Sequence, residues 1–117
     1  MARALHYLTQ SSTKLSAIRA VLEPEYEIVP VDLDVPEMQA DTSLEIARHQ
    51  AIEAARQLGV PVAREDHQTC FAALNGMPGP FAAYFQRAIP IETLLDLIDG
   101  HDHSGYWIMA MAYAQPS

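Results

Sequence analysis

A single cysteine, Cys70, has nothing to bridge to within its own chain, so no internal disulfide holds the fold and a reducing, cytoplasmic setting is expected. A single lysine, Lys14, among seven basic residues and against fifteen acidic ones, excludes a broad basic surface. With a net charge of −8 and a pI near 4.8, neither nucleic acid nor an anionic membrane is an expected partner. No apolar run approaches the roughly 20 residues that cross a bilayer, and the N-terminus lacks the basic and apolar regions of a signal peptide. What is present, 50% hydrophobic and 19% charged residues over 117 positions, suffices to bury a core, and residues 1–117 read as one α/β domain.

The order of elements supports that class. Residues 4–9 predict a strand, and Ser11-Ser12-Thr13 offers hydroxyl caps to a helix over 13–22 with Leu15, Ile18, Val21 and Leu22 on one face. Residues 27–33 predict a β-branched second strand. Thr42-Ser43-Leu44-Glu45 has capping-box spacing and opens a long helix to Leu58, with Leu44, Ala47, Ala51, Ala54, Ala55 and Leu58 as its buried stripe and Gly59 as its stop. A short third strand follows over 61–65, then a helical turn over 81–87 and a short helix over 91–98. The last strand, 104–114, is apolar on both faces, which predicts either a central strand covered on both sides or a face waiting for a partner chain. Strand and helix alternation makes this a mixed twisted sheet with helices packed on it.

Some positions invite chemistry. Thr9 to Lys14 lies between a strand and a helix N-terminus, where free N–H groups and the helix dipole favour an anion, although a hydroxyl-rich cap is more often only a cap. Glu65-Asp66 closes the third strand ahead of a Gly/Pro-punctuated loop over 75–80. Carboxylates at such a transition are placed to hold a hard cation or orient a water; on residue type alone a solvated acidic turn is the plainer reading. His101-Asp102-His103 reads as a polar turn, because no third ligand is nearby. Cys70, beside Phe71 and Ala72, reads as a buried inert thiol, and Met109 and Met111 as core.

Read as words, these segments resemble the inosine triphosphate pyrophosphatase family, the noncanonical purine NTP pyrophosphatases. Glu65-Asp66 and Leu74-Asn75-Gly76-Met77-Pro78-Gly79-Pro80-Phe81 match that family's central motif at its spacing. Thr9 and Lys14 match its opening Thr-x-Asn-x-x-Lys, with Ser11 where the Asn belongs, and Val35-Pro36-Glu37-Met38-Gln39 matches a Leu-Pro-Glu-x-Gln segment. The resemblance implies the N-terminal portion of that family's fold. It implies phosphate contacts from Thr9, Ser11, Ser12 and Lys14. It also implies Mg²⁺ as cofactor, held by Glu37, Glu65 and Asp66, with Asp66 as the base that activates water. The implied substrate is a nucleoside triphosphate, hydrolysed to a monophosphate and pyrophosphate.

Departures qualify the resemblance. Gln50 stands where the family has a lysine, and Arg48, two positions away, is poorly phased to replace it. His67 and Gln68 replace a hydroxyl residue and a glycine, a loss that matters if the backbone there needs a positive φ or a close approach. The family's C-terminal segments, which shape its purine pocket, have no counterpart in these 117 residues. Two readings follow: a shortened pyrophosphatase whose cleft a second copy completes as a homodimer, or a scaffold that has lost hydrolysis and binds a small ligand or a protein.

Overall fold

A computed structural model describes residues 2–117. Its strands are β1 (Arg3–Leu8), β2 (Tyr26–Val31), β3 (Val62–Phe71), β4 (Pro78–Gly79) and β5 (Gly105–Ala114), and its helices are α1 (Ser12–Leu22), α2 (Ser43–Leu58), α3 (Ala82–Ala88) and α4 (Ile91–Ile98). The sheet is mixed. β1 lies between β2 and β3 and is parallel to both, while β4 and β5 pair antiparallel with β3.

Caps and periodicity explain the two principal helices. The Ser11 hydroxyl accepts from the Lys14 N–H at 3.2 Å to start α1, and the Thr42 hydroxyl accepts from the Glu45 N–H at 3.2 Å to start α2. Gly59, in the left-handed conformation at φ 72°, ends α2 as expected of a glycine there. The helices cover opposite faces of the sheet. Leu15, Ile18 and Leu22 of α1 pack on Tyr7, Ile28 and Ala63. Ala54 and Ala55 of α2 pack on Leu8, Val31 and Val62. Small residues let α2 lie close to the strands: Ala47, Ala51, Ala54 and Ala55 are all 0% exposed.

Several expectations change. The buried stripe of α2 runs through Ser43, Ile46, Ala47, Gln50, Ala51, Ala54 and Ala55, whereas Leu44 and Leu58, in the end turns, are exposed. β2 ends at Val31, before Leu33. The third strand does not stop at residue 65: β3 continues to Phe71, so Glu65-Asp66 is mid-strand. Its polar stretch is a poor strand former alone, but it pairs with β5 along its whole length, from Val62 opposite Ala114 to Phe71 opposite Gly105. β5 is not central. Among the described residues it pairs only with β3, so it is an edge. α2 covers Ala110, but α1 sits over β1 and β2 and does not reach β5, so Trp107, Met109, Met111 and Tyr113 stay exposed on the other face. Met109 and Met111 are therefore surface, not core.

The β3–β5 pairing is close at one end. A Cβ at Gly105 would lie 2.7 Å from the Cys70 carbonyl oxygen and 3.3 Å from Phe71 Cδ1. Gly105→Ala should therefore force the strands apart and lower stability by about 1–3 kcal/mol, read as a shifted denaturation midpoint. An unchanged midpoint would show that the strand end yields freely.

Candidate active site

The two helices leave β1 and β2 for opposite faces of the sheet, which makes the C-terminal end of β1 a switch point, the place where open α/β sheets leave a crevice. A cleft of about 300 Å³ opens there, walled by Leu8, Thr9, Gln10, Asp34, Glu37, Gln50 and Arg64 among others. A second depression of about 470 Å³ shares Thr9 and Gln10 with it and continues over Ser11, Ser12 and Asp32 at the start of α1. A further cavity, about 440 Å³ and apolar, is lined by Phe71, Phe85, Leu94 and Trp107. Of the candidate acids Glu37 lines the cleft, while Glu65 and Asp66 line none of these three.

The loop from β1 to α1 is held by its own side chains. The Thr9 hydroxyl accepts from the Ser11 N–H at 3.0 Å, and Gln10 Nε2 donates to Asp32 Oδ1 at 2.9 Å. Thr9 and Ser11 are thus engaged as acceptors while their O–H groups stay available to donate. Thr9, Ser11 and Ser12 line the depression. Lys14 turns elsewhere: its Nζ lies 3.0 Å from Glu65 Oε1.

Alternation along β3 sends Glu65 and Asp66 to opposite faces of the sheet. Glu65 points to the α1 side, against Lys14, with His67 Nδ1 at 3.7 Å. The Lys14 contact misses hydrogen-bond angles, so neither Glu65 oxygen has a directed donor. Asp66 points to the α2 side. Burial raises its pKa, and the charge of Glu37 raises it further, while a hydrogen bond from the His67 backbone opposes them. Tyr7, under the sheet beside Glu65, is pushed up to about 12 by burial and then by the Glu65 charge.

Among the described residues no three His, Cys, Asp or Glu side chains converge on one point as a metal cluster. The donor set still fits a divalent cation. Glu65 Oε1 and Oε2 and Asp66 Oδ2 are buried without a hydrogen-bond partner, and an unsatisfied buried carboxylate oxygen is what a cation relieves. Mg²⁺ needs only one or two carboxylates, completing its shell with water and phosphate oxygens.

The substituted positions have definite roles. His67 and Gln68 are extended strand residues opposite Met109 and Ile108, and the only described non-glycine residue at positive φ is Asn75, so no glycine is needed at 68. Gln68 instead receives the Ser43 N–H at 2.9 Å and the Ser43 hydroxyl at 3.1 Å, tying the start of α2 to β3. Gln50 is buried, and its Oε1 accepts from Arg64 Nε at 2.9 Å. Arg48 lies outside the cleft, beside Tyr113 and Ala114. Arg64 went unnoticed in the sequence as a site residue; its adjacency to Glu65 was the one available signal. Asp102 accepts from the Ser104 N–H at 2.8 Å, a local side-chain bond just before β5, and Cys70 is buried and free.

The Ham1 family model matches residues 5–117. The chain is 41% identical to a dITP/XTP pyrophosphatase of Methanopyrus kandleri over 91 residues, 77% of this chain and 48% of that protein. It is 38% identical to inosine triphosphate pyrophosphatase 1 of Trypanosoma cruzi over 81% of this chain and 48% of that one. It thus spans about half the length of these curated relatives. A HAM1 protein from Coxiella burnetii has the same fold, with a TM-score of 0.80 at 24% identity, covering 97% of this chain and 64% of that one.

Proposed function

The chain belongs to the Ham1 family, and on that premise we propose that it carries the reaction site of a Mg²⁺-dependent nucleoside triphosphate pyrophosphatase acting on noncanonical purine triphosphates. The observation that carries this reading is the pair Glu65-Asp66: both are buried in the strand that lines a switch-point crevice, Asp66 Oδ2 has no donor, and Glu65 is faced by the Lys14 ammonium at 3.0 Å. Relatives named as dITP/XTP and inosine triphosphate pyrophosphatases support the substrate class.

In the proposed reaction water attacks the α-phosphorus, its proton passes to the Asp66 carboxylate, and the bond to the bridging oxygen breaks to release pyrophosphate and a nucleoside monophosphate. Thr9, Ser11 and Ser12 donate hydroxyl hydrogens to the phosphates from the end of α1. Asp66, with Glu37 beside the cleft, would hold Mg²⁺ on the α2 side, and the ion would supply charge neutralisation for the phosphate oxygens, while Glu65 stays with Lys14 on the α1 side unless that pair opens. A homodimer is part of this reading, because the uncovered face of β5 offers Trp107 and Met109 to a second copy.

The test is pyrophosphate release from ITP, XTP, dITP and the four common triphosphates, with and without Mg²⁺. Mg²⁺-dependent release that favours the hypoxanthine and xanthine nucleotides is the expected result. The alternative, a binding module without hydrolysis, draws on the engagement of Lys14 with Glu65. It predicts nucleotide or ligand binding that ignores Mg²⁺ and no release by the folded chain.

A further inference from the structure

We propose that Arg64 contacts the phosphate chain of the substrate, and that Gln50 is the residue that positions it; this rests on the pyrophosphatase reading above. Of the chain's seven basic residues, Arg64 is the one that lines the 300 Å³ cleft. Lys14 is engaged by Glu65, Arg19 by Glu23 and Arg56 by Glu53, and Arg48 lies beside Tyr113, outside the cleft.

The guanidinium is fixed from two sides. Nε donates to Gln50 Oε1 at 2.9 Å, and Nη1 donates to the Leu8 carbonyl at 2.8 Å. Gln50 is itself held by donating to the Val35 carbonyl at 3.4 Å. Five N–H groups in a planar fork, two of them used, leave three to offer. Asp34 and Glu37 share the cleft, yet Arg64 forms no ion pair with any carboxylate among the described residues. A half-buried cation, anchored by neutral acceptors, with Asp66 near enough to feel its charge but no carboxylate in direct contact among the described residues, keeps its free N–H groups for an anion from outside the chain.

The position selects the kind of anion. Thr9 and Gln10 are common to the cleft and to the depression at the α1 N-terminus, so a polyphosphate entering there meets hydroxyl donors at one end and the Arg64 fork at the other. Gln50, where the resemblance expects a lysine, thus serves the same cleft by holding a cation that comes from the neighbouring strand.

The experiment titrates the full chain with inorganic tripolyphosphate in the presence of Mg²⁺, in wild type, Arg64→Met and Gln50→Leu, with ligand-free thermal midpoints recorded and ITP turnover measured in parallel. Loss of a charge-assisted bidentate contact should weaken tripolyphosphate binding roughly 10- to 100-fold in Arg64→Met. Gln50→Leu should show a smaller loss of the same kind, with KM for ITP rising more than kcat falls. In wild type, the Arg64 guanidinium resonance should move on adding tripolyphosphate, which tests the contact even if Arg64→Met does not fold. Folded Arg64→Met that binds tripolyphosphate as tightly as wild type, or a guanidinium resonance that stays still at saturation, overturns the assignment. Turnover of ITP together with either of those results leaves the pyrophosphatase reading standing and removes Arg64 alone. Binding that depends on Arg64 without pyrophosphate release from any triphosphate supports the anion contact and removes the reaction.

Discussion

Asp66→Asn should abolish Mg²⁺-dependent pyrophosphate release and, in the same protein, raise the melting temperature of the ligand-free chain. As the proposed base, Asp66 accounts for about 10²- to 10⁴-fold of the rate, and an amide of the same shape cannot take the proton. The stability gain comes from the same site. The Asp66 carboxylate is buried, its Oδ2 has no donor, and Glu37 adds like charge, so its pKa is raised. A raised carboxylate pKa means that the folded chain holds more protons than the unfolded one between the ordinary value of 3.8 and the folded value. Stability contributed at this position therefore falls as pH rises through that window and stays lower above it. Asparagine removes the charge, so the gain should be about 1 kcal/mol near pH 7, or about 3–5 °C, and smaller near pH 4. Thermal melts of both proteins at the two pH values decide it. A lower midpoint for Asp66→Asn at pH 7 would mean that the ionised carboxylate is a net stabiliser, contrary to its burial beside Glu37.

Lys14→Met should destabilise the fold by about 2 kcal/mol, and Glu65→Gln in the same chain should restore most of the loss. Glu65 is 5% exposed, and Lys14 is its nearest counter-ion among the described residues, at 3.0 Å. Removing one partner of a buried pair leaves the other charge uncompensated, a cost of about 3–5 kcal/mol when both are buried. The Lys14 side chain is 34% exposed, so solvent reaches the pair and the smaller figure applies. Denaturant unfolding of the wild type, both single variants and the double variant gives the coupling directly. A Lys14→Met midpoint within about 0.5 kcal/mol of wild type would show that water alone satisfies Glu65. The cycle also separates two duties of Lys14. If it meets phosphate, as the resemblance implies, the double variant has a higher KM for ITP than Glu65→Gln alone, the comparison in which the effect of Glu65 itself cancels.

Local information was strong in the first half of the chain. The caps Ser11 and Thr42 and the stop at Gly59 each act over a few residues, so their meaning is complete within a short window, and α1 and α2 begin and end where those signals stand. The family words were legible for the same reason: Thr9, Glu37, Glu65 and Asp66 keep their spacing whatever the rest of the chain does.

Other features have no local cause. Residues 66–71 lack an apolar alternation, and they are a strand because β5, distant in sequence, pairs with them throughout. Whether β5 is central or an edge depends on what else reaches its free side, which no pattern inside 105–114 encodes.

What the sequence by itself determined is the α/β class, the order of the helices and of every strand but β4 (residues 78–79 read as loop), the family resemblance and the acids at 37, 65 and 66, because each is written in residue type and short spacing. What only the tertiary structure decided is how those acids are shared between the faces of the sheet, that Lys14 answers to Glu65, and that Arg64 is a cleft residue. The partners of Arg64 lie at Gln50 and Leu8, on other elements of the chain. A side chain's electrostatic role is set by what surrounds it in space, and packing alone brings those neighbours together.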